Sequence, residues 1–173
     1  MPKKGIIVIT DGDWIAQGTI EKAGKNLGLS TLSASAGNPT PFSAGELREK
    51  IMEAEGDPLL VMADDGGGTD KGPGERVIEM IGKDEELSLL GVVAVASGAR
   101  NVRGIKPDFS LDREGKICAG PVDKWGSPEA KGRTQIRGDT LDVLNGLKVP
   151  LIIGLGDVGK MRSADDQALG AKV

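Results

Sequence analysis

Two acidic pairs follow two apolar runs in this chain. Asp11 and Asp13 stand after Gly5-Ile6-Ile7-Val8-Ile9-Thr10, and Asp64 and Asp65 after Leu59-Leu60-Val61-Met62-Ala63. Continuous apolar runs of this length read as strands covered on both faces, and open parallel α/β sheets bind ligands beyond the carboxyl ends of their strands. If the two strands are neighbours, four carboxylates share one small volume. Like charges at that range raise one another's pKa values and call for a cation, a shared proton or a donor-rich ligand. Asp11, Asp13, Asp64 and Asp65 are therefore candidate metal ligands. The ion would be hard: the chain has no His and a single cysteine, Cys118. An imidazole or thiolate cage is excluded, which leaves Ca²⁺ or Mg²⁺ held by oxygen. Three further groups follow later apolar runs and are candidate ligand-binding residues: Ser97, after Leu90 to Ala96, and Asp157 and Lys160, after the last run.

Each of these residues also has a plain structural use. An Asp before a helix caps it, as Asp13 would, and an acidic pair beside glycines serves a turn, as Asp64-Asp65 would. Gly154-Leu155-Gly156-Asp157-Val158-Gly159-Lys160 has the spacing of a dinucleotide fingerprint, and of a phosphate loop as far as its lysine. Met161, however, stands where a phosphate loop needs a hydroxyl, and no later strand carries a ribose-binding acid, so the turn reads as the rim of a crevice. Asp11-Gly12-Asp13 is similar to the nucleophile motif of haloacid-dehalogenase-type phosphatases, but the remaining motifs fall in the wrong order. Receiver domains are similar in another way, with acids after strand one, an Asp at strand three, a hydroxyl after strand four and a Lys after strand five. Asp11, Asp13, Asp64 or Asp65, Ser97 and Lys160 would fill those places. That analogy is at the level of fold. It makes a Mg²⁺-dependent phosphoryl-handling enzyme or phosphoswitch the alternative to a non-enzymatic binding protein.

The elements that must position these groups are legible from periodicity. After Asp13, the residues Ala16, Ile20, Ala23 and Leu27 form one helical stripe stopped by Gly28, and Leu29 to Ala34 reads as a second strand. Ser43 and Glu46 make a capping box with a Phe42–Leu47 staple, opening a helix that continues through Ile51 and Ala54. Pro73 starts a third helix bearing Val77, Ile78 and Ile81, and Leu90 to Ala96 is a fourth strand. Asp108 to Asp112 and Lys116 to Ala119 flank Arg113-Glu114-Gly115 as an antiparallel hairpin. Residues 120 to 138 read as a long surface excursion. Asp139 is expected to cap a helix bearing Leu141, Leu144 and Leu147, before a last strand from Pro150 to Ile153. The alternation predicts a single α/β domain over residues 1–173, a three-layer sandwich. Its sheet would be mostly parallel and doubly wound, with strand order about 2-1-3-4-5, plus the hairpin in the C-terminal half.

Composition narrows the partners. The net charge is −4, from 22 basic and 26 acidic residues, with no long run of one sign. The pair Lys3-Lys4 and the scatter Arg100, Arg103, Lys106 are too sparse for a phosphate-tracking groove, which argues against nucleic acid. Aromatics make up 2 % and Tyr is absent, so the core must consist of Ile, Val, Leu, Met and Ala. The longest apolar stretch, Leu89 to Ala96, is about half of what a spanning helix needs. The N-terminal strand is too short for a signal-peptide core. The chain reads as soluble and cytoplasmic in type, without direct membrane insertion; a homo-oligomer is left open.

The chain as a whole resembles the stage V sporulation protein AE family of endospore-forming bacteria. The blocks that carry the resemblance run in order: Val8-Ile9-Thr10-Asp11-Gly12-Asp13, Gly37-Asn38-Pro39-Thr40, Val61-Met62-Ala63-Asp64-Asp65 and Gly91-Val92-Val93-Ala94-Val95-Ala96-Ser97. They continue with Asp112-Arg113-Glu114-Gly115, Val122-Asp123-Lys124, Gly138-Asp139-Thr140 and Gly154 to Met161. The resemblance implies a soluble accessory subunit, peripheral to the inner spore membrane. Its partners would be the membrane proteins of the spore system that moves dipicolinic acid with Ca²⁺ during sporulation and germination. It implies no catalytic residue. It also implies an amphipathic helix continuing past this end, which Asp165-Asp166 could begin just as the chain stops at Val173.

Overall fold

A computed structural model describes residues 2–68 and 70–173. Thr69, in the glycine-rich segment of residues 65–72, lies outside the described residues.

Among the described residues, seven strands form one sheet: β1 (Lys4–Ile9), β2 (Ser30–Thr31), β3 (Leu59–Met62), β4 (Leu87–Val95), β5 (Phe109–Leu111), β6 (Ile117–Cys118) and β7 (Ile152–Leu155). Three α-helices connect them: α1 (Trp14–Leu27), α2 (Ala44–Glu53) and α3 (Pro73–Lys83). The spatial order is β2-β3-β1-β4-β7-β5-β6, parallel throughout except for the antiparallel hairpin of β5 with β6. The α/β class, the mostly parallel sheet and the hairpin are as the sequence predicts. The order is not. β1 and β3 are neighbours as expected, but β3 lies between β1 and β2, and β4 lies on the other side of β1. The two longest strands, β1 and β4, pair along the whole of β1, with a bulge where Ile6 faces Leu89 and Ile7 faces Gly91. The two-residue β2 has only the start of β3 to hold.

Alternation along β1 and β3 builds two cores. Ile6, Val8, Leu59 and Val61 face α2 and α3 and pack with Leu47, Ile51, Val77, Ile78 and Ile81. Ile9, Leu60 and Met62 face α1 and pack with Ala16 and Ile20. The chain moves one way across the sheet through α1 and back through α2 and α3, so right-handed crossovers place these helices on opposite faces. The α1 face is finished by the segment after β7, whose Val158 and Met161 join the same cluster.

Three local expectations need correcting. The second strand is two residues rather than Leu29 to Ala34, because Ser35 closes a 3₁₀ turn on the Leu32 carbonyl at 2.6 Å. The same hydroxyl accepts from the Met62 backbone N–H at 2.9 Å, an alternative to the strand ladder. The segment after Asp139 is a 3₁₀ helix, Asp142–Gly146, with no side-chain cap. The excursion 120–138 is partly core: Val122 and Ile136 are buried, and Ile136 exchanges two backbone hydrogen bonds with Ile105. After Asp165 the chain forms a single 3₁₀ turn, Gln167–Leu169, capped by Asp166. Among the described residues, no helix is long and apolar enough to cross a membrane.

Candidate functional site

Because β1 lies between β3 and β4, the carboxyl ends of all three strands open on one cleft of about 580 Å³. Asp11, Asp13, Asp64, Ser97, Asp157 and Lys160 all line it. Six of the seven residues singled out in the sequence are thus brought together. The seventh, Asp65, does not line the cleft. Its Oδ1 accepts from the backbone N–H groups of Gly74 (2.7 Å) and Glu75 (3.3 Å), at the start of α3, while its Oδ2 is buried with no hydrogen-bond partner among the described residues. Burial pushes its pKa up.

Asp11 lies just past the end of β1 and is 5 % exposed. Its Oδ1 accepts from Gly12 N–H at 2.9 Å and its Oδ2 from Val158 N–H at 3.3 Å, which ties the first strand to the turn after the last. Burial, reinforced by the charges of Asp13 and Asp157, raises its pKa to about 8. Asp13 does two jobs with two oxygens. Oδ1 caps α1, accepting from Ile15 and Ala16 at 3.0 and 2.9 Å, and Oδ2 takes a hydrogen bond from the Lys160 ammonium. Gly12 between them is required by space. A Cβ there would lie 2.6 Å from the Gly37 carbonyl oxygen, and the Gly12 N–H donates to Asp64 Oδ2 at 3.2 Å.

Asp64 is held by backbone donors: its Oδ1 accepts from Gly66 N–H at 2.8 Å. Burial nevertheless raises its pKa to about 6, with Asp139 and Asp13 adding to the effect. Lys160 bridges Asp13 and Asp157, the second at 2.9 Å. Burial works against its ammonium, but the hydrogen bonds to Asp13 and Asp157 outweigh it and hold the pKa above the ordinary lysine range. Ser97 Oγ accepts from the backbone N–H of Ala99 at 3.3 Å and of Asp139 at 3.2 Å, which shapes the opposite wall.

One carboxylate oxygen from each of Asp11, Asp13 and Asp157 lies within 4.8 Å of the others, an arrangement of ligand atoms that suits a cation bound by oxygen. Lys160 supplies a positive charge there now. Sequence reasoning missed Asp139 and Asn38 on the cleft walls. Asp139 reads as a helix cap in the sequence; its Oδ2 instead accepts from Gly67 N–H. Asn38 sits in the Asn38-Pro39-Thr40-Pro41 loop, where proline spacing signals rigidity but not orientation. The glycine-rich turn after β7 has no α-helix behind it, so the helix N-terminus that phosphate binding exploits is missing from that place.

No curated protein and no solved structure matches the chain. The sequence profile of stage V sporulation protein AE1 matches residues 5–173, nearly the whole chain. The chain belongs to the stage V sporulation protein AE1 family, and its role lies in sporulation.

Proposed function

We propose that this chain is a non-enzymatic accessory subunit of the machinery that moves dipicolinic acid with Ca²⁺ at the inner spore membrane, and that its cleft binds a hard cation or a small polar ligand. Family membership supports a role in sporulation. The observation that carries the binding role is the convergence of Asp11, Asp13 and Asp157 from two ends of the chain. Ca²⁺ takes about six to eight oxygen ligands, which carboxylates, backbone carbonyls and water together can provide. An incoming cation would compete with Lys160 for Asp13 and Asp157. Calorimetry with Ca²⁺ and with Mg²⁺ tests this. Wild type should give saturable heat at or below millimolar ion, and Asp11→Asn/Asp157→Asn should lose at least about tenfold in affinity. No heat from wild type in either ion removes the cation site.

A second reading is favoured by the position of β1 between β3 and β4, which puts Asp11, Asp13, Asp64, Ser97 and Lys160 on one cleft. These are the residue types a Mg²⁺-dependent phosphoryl-handling site uses. An Asp11 oxygen would attack phosphorus, forming the acyl phosphate as the bond to the leaving-group oxygen breaks and the Asp11 carboxyl proton passes to that oxygen, with Ser97 and Lys160 facing the phosphoryl oxygens. Asp65, committed to the start of α3, has no part in it. Beryllium fluoride with Mg²⁺ should then protect the segments around Asp11 and Asp64 from hydrogen exchange. Unchanged exchange discards this second reading.

A further inference from the structure

The face of the sheet that carries α1 is incompletely covered. The opposite face has α2 and α3, whereas this one has α1 and the segment after β7. Helix α1 packs on β1 and β3 through Ala16 and Ile20, and a void of about 240 Å³ remains on the same face. Five adjacent strands wall it in turn: β3 with Leu60, β1 with Ile7, β4 with Val93, β7 with Ile153 and β5 with Leu111. Ala23 and Leu27 line it from α1, and Val158 and Val173 from the C-terminal segment.

Packed interiors leave few voids larger than a water molecule, so a gap of this size is room for an occupant. Its walls do not suit water. None carries a charged side chain, and the one polar residue, Thr19, is 3 % exposed, its hydroxyl without a hydrogen-bond partner among the described residues. A buried water needs about two to four polar partners, and apolar cavities of about 150 Å³ stay dry and take up apolar molecules instead.

Size selects the shape of the occupant. One turn of α-helix, about 10 Å wide and about 5.4 Å long, fills about 420 Å³, so a partner helix does not fit. Spread along five strands about 4.8 Å apart, the void is narrow. A methylene group takes about the space of a water, about 30 Å³, so there is room for a chain of about eight. The lack of charged walls leaves a polar head outside, in water. Ile7, Val93 and Ile153 also line a shallower hollow of about 160 Å³, whose walls include Leu90 and Leu151, 42 % and 39 % exposed. Apolar surface thus continues from the void to solvent.

We propose that this void is a binding site for a single unbranched aliphatic chain, taken up as a free amphiphile with its head group in water. The inference goes beyond the proposed function and is independent of the acidic cleft, since no acidic side chain lines the void.

The test is calorimetry of the full chain with undecanoate below its micelle-forming concentration, beside 1-adamantanecarboxylate, which has the same carbon count and carboxylate in a compact cage. Saturable binding of undecanoate is expected, with the wider cage at least about tenfold weaker because it overpacks the void. Ala23→Phe fills the void from α1 and should weaken undecanoate at least about tenfold, with the circular dichroism of the wild type. A nitroxide-labelled undecanoate decides the matter without a variant. In the wild type it should broaden the methyl resonances of Ile7, Val93 and Ile153 and spare those of Ile51 and Val77 on the other face. No binding of undecanoate overturns the proposal, and so does equal affinity for the cage. Unchanged affinity in a folded Ala23→Phe protein, or broadening on both faces alike, does the same. Sedimentation showing a dimer of the ligand-free chain that Ala23→Phe dissociates would assign the void to a second copy and overturn the proposal. Flotation with phosphatidylcholine vesicles, in a protein that ignores free undecanoate, would assign the surface to a bilayer and overturn it as well.

Discussion

Asp11 holds its proton to about pH 8, whereas an ordinary aspartate loses it near 3.8. Between those values the folded protein binds more protons than the unfolded chain, so the stability linked to Asp11 is complete below about pH 4 and is lost as pH rises through 8. Asp64 acts in the same sense over a narrower window that closes near pH 6. Wild type should therefore melt at progressively lower temperature from pH 5 to 9. Asp11→Asn, which keeps an acceptor for Gly12, should flatten that dependence, which one such carboxyl sets at about 1.4 kcal/mol per pH step of one across its window. Thermal melts across that range check it, and parallel slopes would contradict it. Lys160→Met should act on Asp13 and Asp157 at pH 7, leaving both without a counter-charge and lowering stability. Because the side chain is about a third exposed, the cost is reduced by solvent to about 1–2 kcal/mol. Millimolar Ca²⁺ should restore most of that loss, as read by chemical denaturation with and without the ion. The pair Asp64-Asp65 shows what spacing leaves open. Both acids are visible after an apolar strand, but β3 ends at Met62, beyond which strand alternation no longer says which one faces the cleft.

The helices are the most legible elements, since their signals are local. Asp13 caps α1, Gly28 stops it in the left-handed region, and Ser43 with Glu46 closes the expected capping box on α2. Ser43→Ala should cost about 1 kcal/mol in denaturation and leave cleft binding untouched, because the box lies on the surface and its bonds are all within α2's first turn. Gly74 is the opposite case. A Cβ there would lie 2.6 to 2.8 Å from backbone atoms of Asp64, so α3 can approach the cleft strand only without a side chain at this position. Gly74→Ala should destabilise by about 1–3 kcal/mol and also weaken ligand binding, by shifting Asp64. Denaturation together with calorimetry separates the two effects. The segments whose sequence reading and structure differ, around Ser33 and Leu141, are 3₁₀ turns. Around Ser33 the turn meets β3 through Ser35 and Met62, and along the Leu141 segment Val143 N–H donates to Glu75 Oε1 at 2.8 Å. Both partners are remote in the chain, so hydrophobic period could not announce them.

A ligand that binds only the folded chain stabilises all of it. Ca²⁺ at about ten times its dissociation constant should add about 1.4 kcal/mol, which for a chain of this size raises the melting temperature by about 3–6 °C. Asp11→Asn/Asp157→Asn should show no such rise. Much of the architecture is open to sequence reading: the alternation of strands and helices, the caps, the hairpin and the position of the acids at strand ends. Each of these depends on residues a few places apart, through backbone preference, hydrogen bonds across one turn and the period of buried side chains. The lateral order of the strands lies beyond it. So do the meeting of Asp11 and Asp13 with Asp157 from the other end of the chain and the diversion of Asp65 to α3. These follow from which segments pack side by side, and that depends on contacts between distant residues that no local spacing encodes.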